Sequence, residues 1–137
     1  MSVRSSALPA LVALALAAPA AADRYDALRN DPQIANGVLV AAIGDIIGDT
    51  CPDLGERRTR SLLMLNSLVS RARGLGYSAG EIRAYVEDDA EKDRVKAQAR
   101  QWLAQQGAST DDPASVCRVA RAEIAKESTI GRLMYEK

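Results

Sequence analysis

Residues 31–51 read DPQIANGVLVAAIGDIIGDTC, and this stretch decides the fold. Its apolar side chains surround a helical wheel on nearly every side, which is typical of a helix at the centre of a domain. The segment is too long for a buried strand, and Pro32 directly after Asp31 fits the first turn of a helix. We therefore predict a central helix from Asp31 to about Asp49. The apolar positions are Ile34, Val38, Leu39, Ala42, Ile43, Ile46 and Ile47.

Two glycines interrupt the second half of this helix. Gly44 and Gly48 stand four residues apart on one side. Small residues at this spacing let a neighbouring helix approach closely, so we expect a close contact there. The alternative is that they only weaken the end of the helix.

Three further helices follow along the chain. One carries an apolar stripe opposite arginines, and the next should start after Ser78, because Ser78 and Glu81 form a capping box. The charged stretch 87–94 either bends this third helix or lets its two faces meet two partners. The last helix should begin with Asp112 as cap and Pro113 as first residue and run to about Met134. The stripe comprises Leu62, Leu65, Leu68, Val69, Ala72 and Leu75, opposite Arg57, Arg60 and Arg71.

The N-terminus has the pattern of an export signal. Arg4 supplies a positive charge, an apolar stretch runs over 7–17, and Ala20, Ala21 and Ala22 offer a small-residue cleavage site. A membrane span needs about 20 apolar residues, and this stretch is shorter. We predict a signal peptide over residues 1–22, a single domain over residues 23–137, and no membrane insertion after cleavage.

The two cysteines, Cys51 and Cys117, follow this signal. In an oxidising compartment two cysteines pair by default, so we predict one structural disulfide and a periplasmic or secreted location. A redox-active dithiol favours Cys-x-x-Cys spacing, which the chain lacks. The predicted fold class is all-α, a compact bundle of about four helices closed by this disulfide.

Composition argues against several functions. The chain has no histidine, which removes the commonest general base and metal ligand. Without Arg4 it has 17 basic and 18 acidic residues, interspersed rather than clustered, and this disfavours nucleic acid as a partner. We expect no catalytic residues, no cofactor and no metal. The acidic run over 88–93 lacks the calcium-loop pattern and should be a solvated face.

Two carboxylates fall on apolar helix faces. Glu123 lies among Val116, Val119 and Ala120 on the wheel of the last helix, and Asp45 shares a side of the central helix with Ile34. A buried carboxylate must be paired, hydrogen-bonded or protonated. Glu123 and Asp45 are therefore candidates for a buried acid or pH sensor, and the alternative is an ion pair with an arginine such as Arg118 or Arg121.

Several short motifs occur together in a recognisable order. They are Gly44-Asp45, Cys51-Pro52, Gly76-Tyr77, Glu81-Ile82, Cys117, Arg121-Ala122-Glu123-Ile124 and Ile130-Gly131-Arg132-Leu133. In this order they resemble a family of small exported alphaproteobacterial proteins that is classified only as a domain of unknown function. The resemblance implies a bacterial periplasm and no particular activity.

Two functions remain in competition. The first is a non-enzymatic periplasmic module whose helical surface binds another envelope protein or a peptide. The second resembles the acid-stress chaperones, which open at low pH and expose apolar surface, because protonating paired carboxylates removes stability. A carboxylate-based hydrolase would need Glu123 and Asp45 to face one cleft, which nothing in the sequence supports.

Overall fold

The computed structural model describes residues 23–137, and the predicted signal peptide lies outside them. This part of the chain is mostly helical, as predicted, with six α-helices. The helices are α1 (Asp26–Asn30), α2 (Pro32–Thr50), α3 (Arg58–Gly74), α4 (Ala79–Glu87), α5 (Asp89–Gln105) and α6 (Pro113–Lys126). A 3-10 turn over Gly131–Leu133 and two short strands, β1 (Leu54–Glu56) and β2 (Met134–Glu136), complete the described fold.

The central position of α2 is confirmed. It packs against α1, α3, α5, α6 and β1. Its first turn forms as the sequence predicts, because Asp31 accepts a hydrogen bond from the Ile34 backbone N–H at 3.1 Å and Pro32 follows as the first helical residue. The broad apolar surface of α2 is thus covered by five neighbouring elements, and a narrower side that includes Ala41 and Asp45 stays exposed.

The close helix contact on α2 lies at a different glycine from the predicted pair. A Cβ atom built at Gly44 or Gly48 would meet nothing within 4 Å, so the prediction for these two was wrong. At Gly37 it would meet the Leu68 methyl carbons at 2.5 and 2.6 Å. Leu68 of α3 therefore packs directly onto the α2 backbone at Gly37, outside the predicted pair of glycines.

The predicted third helix is two helices. The helix is interrupted at Asp88, whose backbone is extended (φ −67°, ψ 119°). Asp88 then caps α5 by accepting a hydrogen bond from the Glu91 N–H at 3.0 Å. The predicted capping box at the start of α4 is confirmed, since Ser78 and Glu81 each accept a hydrogen bond from the other's backbone N–H.

The last helix is shorter than predicted. It begins at Pro113 as expected, although the Asp112 side chain makes no capping hydrogen bond. It ends at Lys126 because Glu127 adopts a left-handed conformation (φ 52°), after which the N–H of Ser128 bonds back to the Glu123 carbonyl. The residues beyond form the 3-10 turn and β2, which pairs antiparallel with β1.

The buried side chains form two clusters. The main core joins α2, α5, α6, both strands and the segments beside them, and comprises Val40, Ile43, Ile47, Cys51, Leu54, Ala99, Leu103, Ala108, Val116, Cys117, Val119, Ala120, Ile130 and Met134. The smaller N-terminal cluster comprises Tyr25, Leu28, Ile34, Ala72 and Tyr85. Trp102 packs against the main core, whereas Tyr77 packs against the N-terminal cluster.

Candidate functional site

The predicted disulfide is confirmed. Cys51 and Cys117 are bonded, with their Cα atoms 5.7 Å apart. Cys51 ends α2 and Cys117 lies in the first turns of α6, so the bond joins two helices of the main core. Within residues 23–137 no free cysteine is left.

Glu123 is buried, with 5% of its surface exposed, and it is ion-paired. Its Oε1 atom lies 2.6 Å from Lys126 Nζ, so the partner is a lysine on the next turn and neither Arg118 nor Arg121. Desolvation raises the pKa of Glu123, but the hydrogen bonds of Lys126 and Ser128 and the Lys126 charge outweigh it, and the pKa is lowered. Glu123 is therefore an ionised structural carboxylate at neutral pH.

Asp45 lies at the surface of α2 and is exposed. Partial desolvation raises the pKa of Asp45, and the neighbouring carboxylates of Asp49 and Glu56 raise it further. In the described part of the chain no hydrogen bond or ion pair joins Asp45 to Glu123. The two candidate acids are thus not brought together into one site.

Two other carboxylates are buried beside the N-terminal cluster, and the sequence analysis missed both. Asp31 binds Arg71 of α3 at 2.7 Å, and Glu91 binds Arg94 at 2.9 Å and Arg29 of α1. The arginine hydrogen bonds lower the pKa of each carboxyl group. Glu91 belongs to the run predicted to be solvated, so that prediction was wrong at this position.

The main unexpected feature is the outer surface of α3. Most of the predicted apolar stripe of this helix is not buried. Within α3, only Ala72 is buried. Three leucines near its N-terminal end are exposed: Leu62 at 59%, Leu63 at 65% and Leu65 at 49%. At 100° per residue they lie on one side of the helix, centred on Leu62. We call these three side chains the leucine face.

The charges of α3 are all positive. The helix contains Arg58, Arg60, Arg71 and Arg73 and no acidic residue. Arg60 donates to the Arg132 carbonyl at 2.9 Å, and Arg71 binds Asp31, so both are held by the body of the protein. Arg58 and Arg73 are exposed, and neither makes an ion pair or side-chain hydrogen bond with any residue of 23–137.

Two open depressions lie on the described surface. One, of about 320 Å³, is lined by Arg24, Tyr25, Tyr77, Ser78, Gly80, Glu81 and Ala84, and the other, of about 480 Å³, by Glu56, Arg57, Arg58, Thr59, Arg60 and Tyr135. Each contains one carboxylate. Neither therefore offers the pair of converging acids that carboxylate-based hydrolysis needs.

Other features of the described residues concern metals and membranes. Over residues 23–137 no three potential metal ligands of the His, Cys, Asp or Glu type come together. In the same part of the chain every helix is too short or too polar to span a bilayer.

Comparison with known proteins gives a family and no activity. The protein family described as "Family of unknown function (DUF5333)" matches residues 26–135, which is nearly all of the described chain. No curated protein and no solved structure matches the sequence.

Proposed function

This chain belongs to the DUF5333 family, and we propose that it is a non-enzymatic binding module of the bacterial envelope. Another envelope protein or a peptide binds to its leucine face on α3. The observation that carries this proposal is the exposure of Leu62, Leu63 and Leu65 on a helix whose neighbours leave them uncovered. Burial of a leucine side chain gains about 1.5–3 kcal/mol when complete, so covering three half-exposed leucines provides a substantial driving force.

The proposal includes export and cleavage after Ala22. The disulfide supports an oxidising compartment. In addition, the Asp23 backbone nitrogen lies 3.0 Å from Asp26 Oδ2, so the ammonium group that cleavage would create there already faces a carboxylate. N-terminal sequencing of the protein from the periplasmic fraction should begin Asp-Arg-Tyr. A start at Met1, or a cytosolic location, would contradict export.

In-cell photo-crosslinking tests the binding surface. A photoreactive amino acid at Leu63, the most exposed of the three leucines, should give an adduct with one defined envelope protein. The same amino acid at Gln98, which is exposed on α5, is the matched control and should give none. Adding Leu62→Asp and Leu65→Asp should abolish the Leu63 adduct. Equal labelling at both positions, or none at Leu63, would overturn the proposed function.

A second candidate, an acid-activated chaperone, has its own supporting observation. Asp31 and Glu91 are buried carboxylates with lowered pKa values beside the N-terminal cluster. The stability that such groups add is present above their unfolded pKa values near 4 and is lost as pH falls through the lower folded values. Acid should therefore weaken the Glu91–Arg29 link between α5 and α1 and the Asp31–Arg71 link between α2 and α3, and so open the cluster and expose its tyrosines.

The two functions separate in an acid titration. Far-UV and near-UV circular dichroism, with dye binding to apolar surface, should be followed from pH 7 to about 2, where carboxylates protonate. If the chaperone function holds, the tyrosine near-UV signal falls and dye binding rises before the fluorescence of Trp102 changes, since Trp102 reports on the main core. Unchanged near-UV and dye signals throughout would remove this candidate.

A further inference from the structure

The partner's chemistry can be inferred from the charges around the leucine face, on the premise that this face is the binding surface proposed above. We infer that α3 binds an acidic amphipathic helix of another protein. The apolar stripe of this helix covers Leu62, Leu63 and Leu65, and its carboxylates face Arg58 and Arg73.

The free positive charges of α3 lie on the same side of the helix as the leucine face. Arg58 and Arg73 are 15 positions apart, which is about 22 Å along a helix. On the helical wheel both lie within about 40° of Leu62, so they share its side of α3: Arg58 is about one turn before Leu62, and Arg73 is eight residues beyond Leu65, near the C-terminal end of the helix. A partner that covers the leucines along this length brings its own side chains to both arginines. Acidic side chains there form ion pairs, and basic ones repel.

Arginines occupy the first turn of α3. The N-terminus of a helix carries partial positive charge and favours acidic side chains. Here the first turn has none, and Arg58 and Arg60 lie there instead. Arg57 also lies at this end, with its guanidinium 5.6 Å from the Tyr135 ring centre. Glu56 lines the same depression, but the three arginines there outnumber it, so the Arg58 end attracts a carboxylate.

A second copy of this chain fits poorly. Two α3 helices packed antiparallel would bring Arg58 of one copy towards Arg73 of the other, and a parallel pair would bring identical arginines together. Neither arrangement supplies a carboxylate from α3, because the helix has none. Like charges across an interface oppose association, so the charge pattern favours a different, acidic protein.

A lipid surface fits less well than an acidic helix. Helices that lie on membranes combine a broad apolar face with aromatic anchors and basic residues along its flanks. The exposed side of α3 has three leucines and no aromatic residue, and the exposed tyrosine beside its N-terminal end, Tyr135, contacts the Arg57 guanidinium. Its free arginines lie near the two ends of α3, about 22 Å apart, a distance that one short helix of a partner spans.

Binding of two designed peptides tests the inference. Both are 18-residue helices with one leucine stripe, bracketed by glutamates in one peptide and by lysines in the other. At low ionic strength the glutamate peptide should bind the mature, oxidised protein at least tenfold more tightly in fluorescence anisotropy, and salt should reduce the difference. Leu62→Ser with Leu65→Ser should abolish binding of both.

Charge reversal supplies the matched comparison. Arg58→Glu with Arg73→Glu should reverse the preference in favour of the lysine peptide, and Arg58→Glu alone should weaken glutamate-peptide binding more than Arg73→Glu alone. The control is Arg100→Glu with Arg118→Glu, which changes the net charge equally at exposed positions on α5 and α6. It should leave the preference for the glutamate peptide intact.

Several outcomes would overturn the inference. These are equal affinity for both peptides, binding of neither, equally tight binding of anionic lipid vesicles, or self-association through α3 in sedimentation. If the Leu63 crosslink to a single protein nevertheless forms, the proposed binding function stands and only the partner chemistry is wrong. If that crosslink also fails, both are wrong.

Discussion

The helices α2 and α3 are similar in length and pack against each other, yet their roles differ. Of the 19 residues of α2, five are buried: Ile34, Gly37, Val40, Ile43 and Ile47. Of the 17 residues of α3, only Ala72 is buried. α2 contributes to both buried clusters, whereas α3 contributes one small side chain to the N-terminal cluster and exposes three leucines. α2 therefore supplies much of the buried core, whereas α3 supplies mainly exposed side chains.

The contact between the two helices explains how α3 stays in place with so little of it buried. Leu68 packs on Gly37, and Arg71 binds Asp31, the cap of α2. Both contacts lie on the inner side of α3. The residues on its outer side therefore contribute little to stability. Substitutions there should leave the free energy of unfolding nearly unchanged and should alter only the proposed binding.

The largest effect should come from removing the disulfide that ends α2. The sequence separation of Cys51 and Cys117 is 66, and a loop of this size stabilises by about 4 kcal/mol in the chain-entropy model. The double change Cys51→Ala and Cys117→Ala should lower the free energy of unfolding by about this amount in urea titration. A loss under about 1 kcal/mol would show that α2 and α6 hold together without it.

The next effect contrasts the two helices directly. Ile47 of α2 is 0% exposed, so Ile47→Ala should cost about 3 kcal/mol through lost burial and the cavity left behind. Leu62→Ala on α3 should change the free energy of unfolding by less than about 0.5 kcal/mol, because the side chain is mostly in water. Comparable losses in urea titration would refute the division of roles.

A smaller effect concerns the buried carboxylate that ties α1 to α5. Glu91→Gln should lower the free energy of unfolding by about 2 kcal/mol at pH 7, less than for a fully buried pair because Arg29 and Arg94 are partly exposed. Because the Glu91 pKa is lowered, its contribution disappears as pH falls below about 4.

The variant should therefore approach the wild type in stability as the pH falls through the lowered pKa of Glu91 and its carboxyl group becomes protonated. Urea titration at pH 7 and pH 3 measures the difference. The control is Glu87→Gln, at an exposed position on α4, which should leave the free energy of unfolding unchanged at pH 7 and at pH 3. A constant difference between the Glu91 variant and the wild type would show that its charge is not the cause.

The smallest effect tests the contact between α2 and α3. Gly37→Ala should cost about 1 kcal/mol, because the new methyl group displaces Leu68. Gly44→Ala meets nothing within 4 Å and should gain about 0.5–1 kcal/mol, since alanine favours the helix. Thermal unfolding of both variants checks the sign of each change. A stabilising Gly37→Ala would mean that α3 is not held at this contact.

Much of the helical frame could be predicted from the sequence. The apolar wheel of α2, its Asp31-Pro32 start, the Ser78–Glu81 capping box and the disulfide are all local patterns or pairings with no competitor. The break at Asp88 falls in the charged stretch 87–94, where the sequence left a bend as one of two alternatives, and the capping hydrogen bond of Asp88 decides in favour of the bend. The pairing of β1 with β2 joins segments nearly 80 residues apart, which no local pattern encodes.

The candidate site was harder to predict. A leucine stripe normally identifies the buried side of a helix, and only the packing of neighbouring helices determines that Leu62 and Leu65 stay exposed. The burial of Glu91 had a signal, since it stands four residues before Val95 and eight before Ala99 on one face of α5. Its place within an acidic run obscured that signal.

The most direct test of the central claim, that α3 presents a preformed binding surface, is the binding of an anionic apolar dye to the folded protein at pH 7. We predict a clear fluorescence signal that Leu62→Ser with Leu65→Ser abolishes, while the urea midpoint of that variant stays unchanged. A dye signal that appears only in acid, or that persists in the double variant, would contradict the claim.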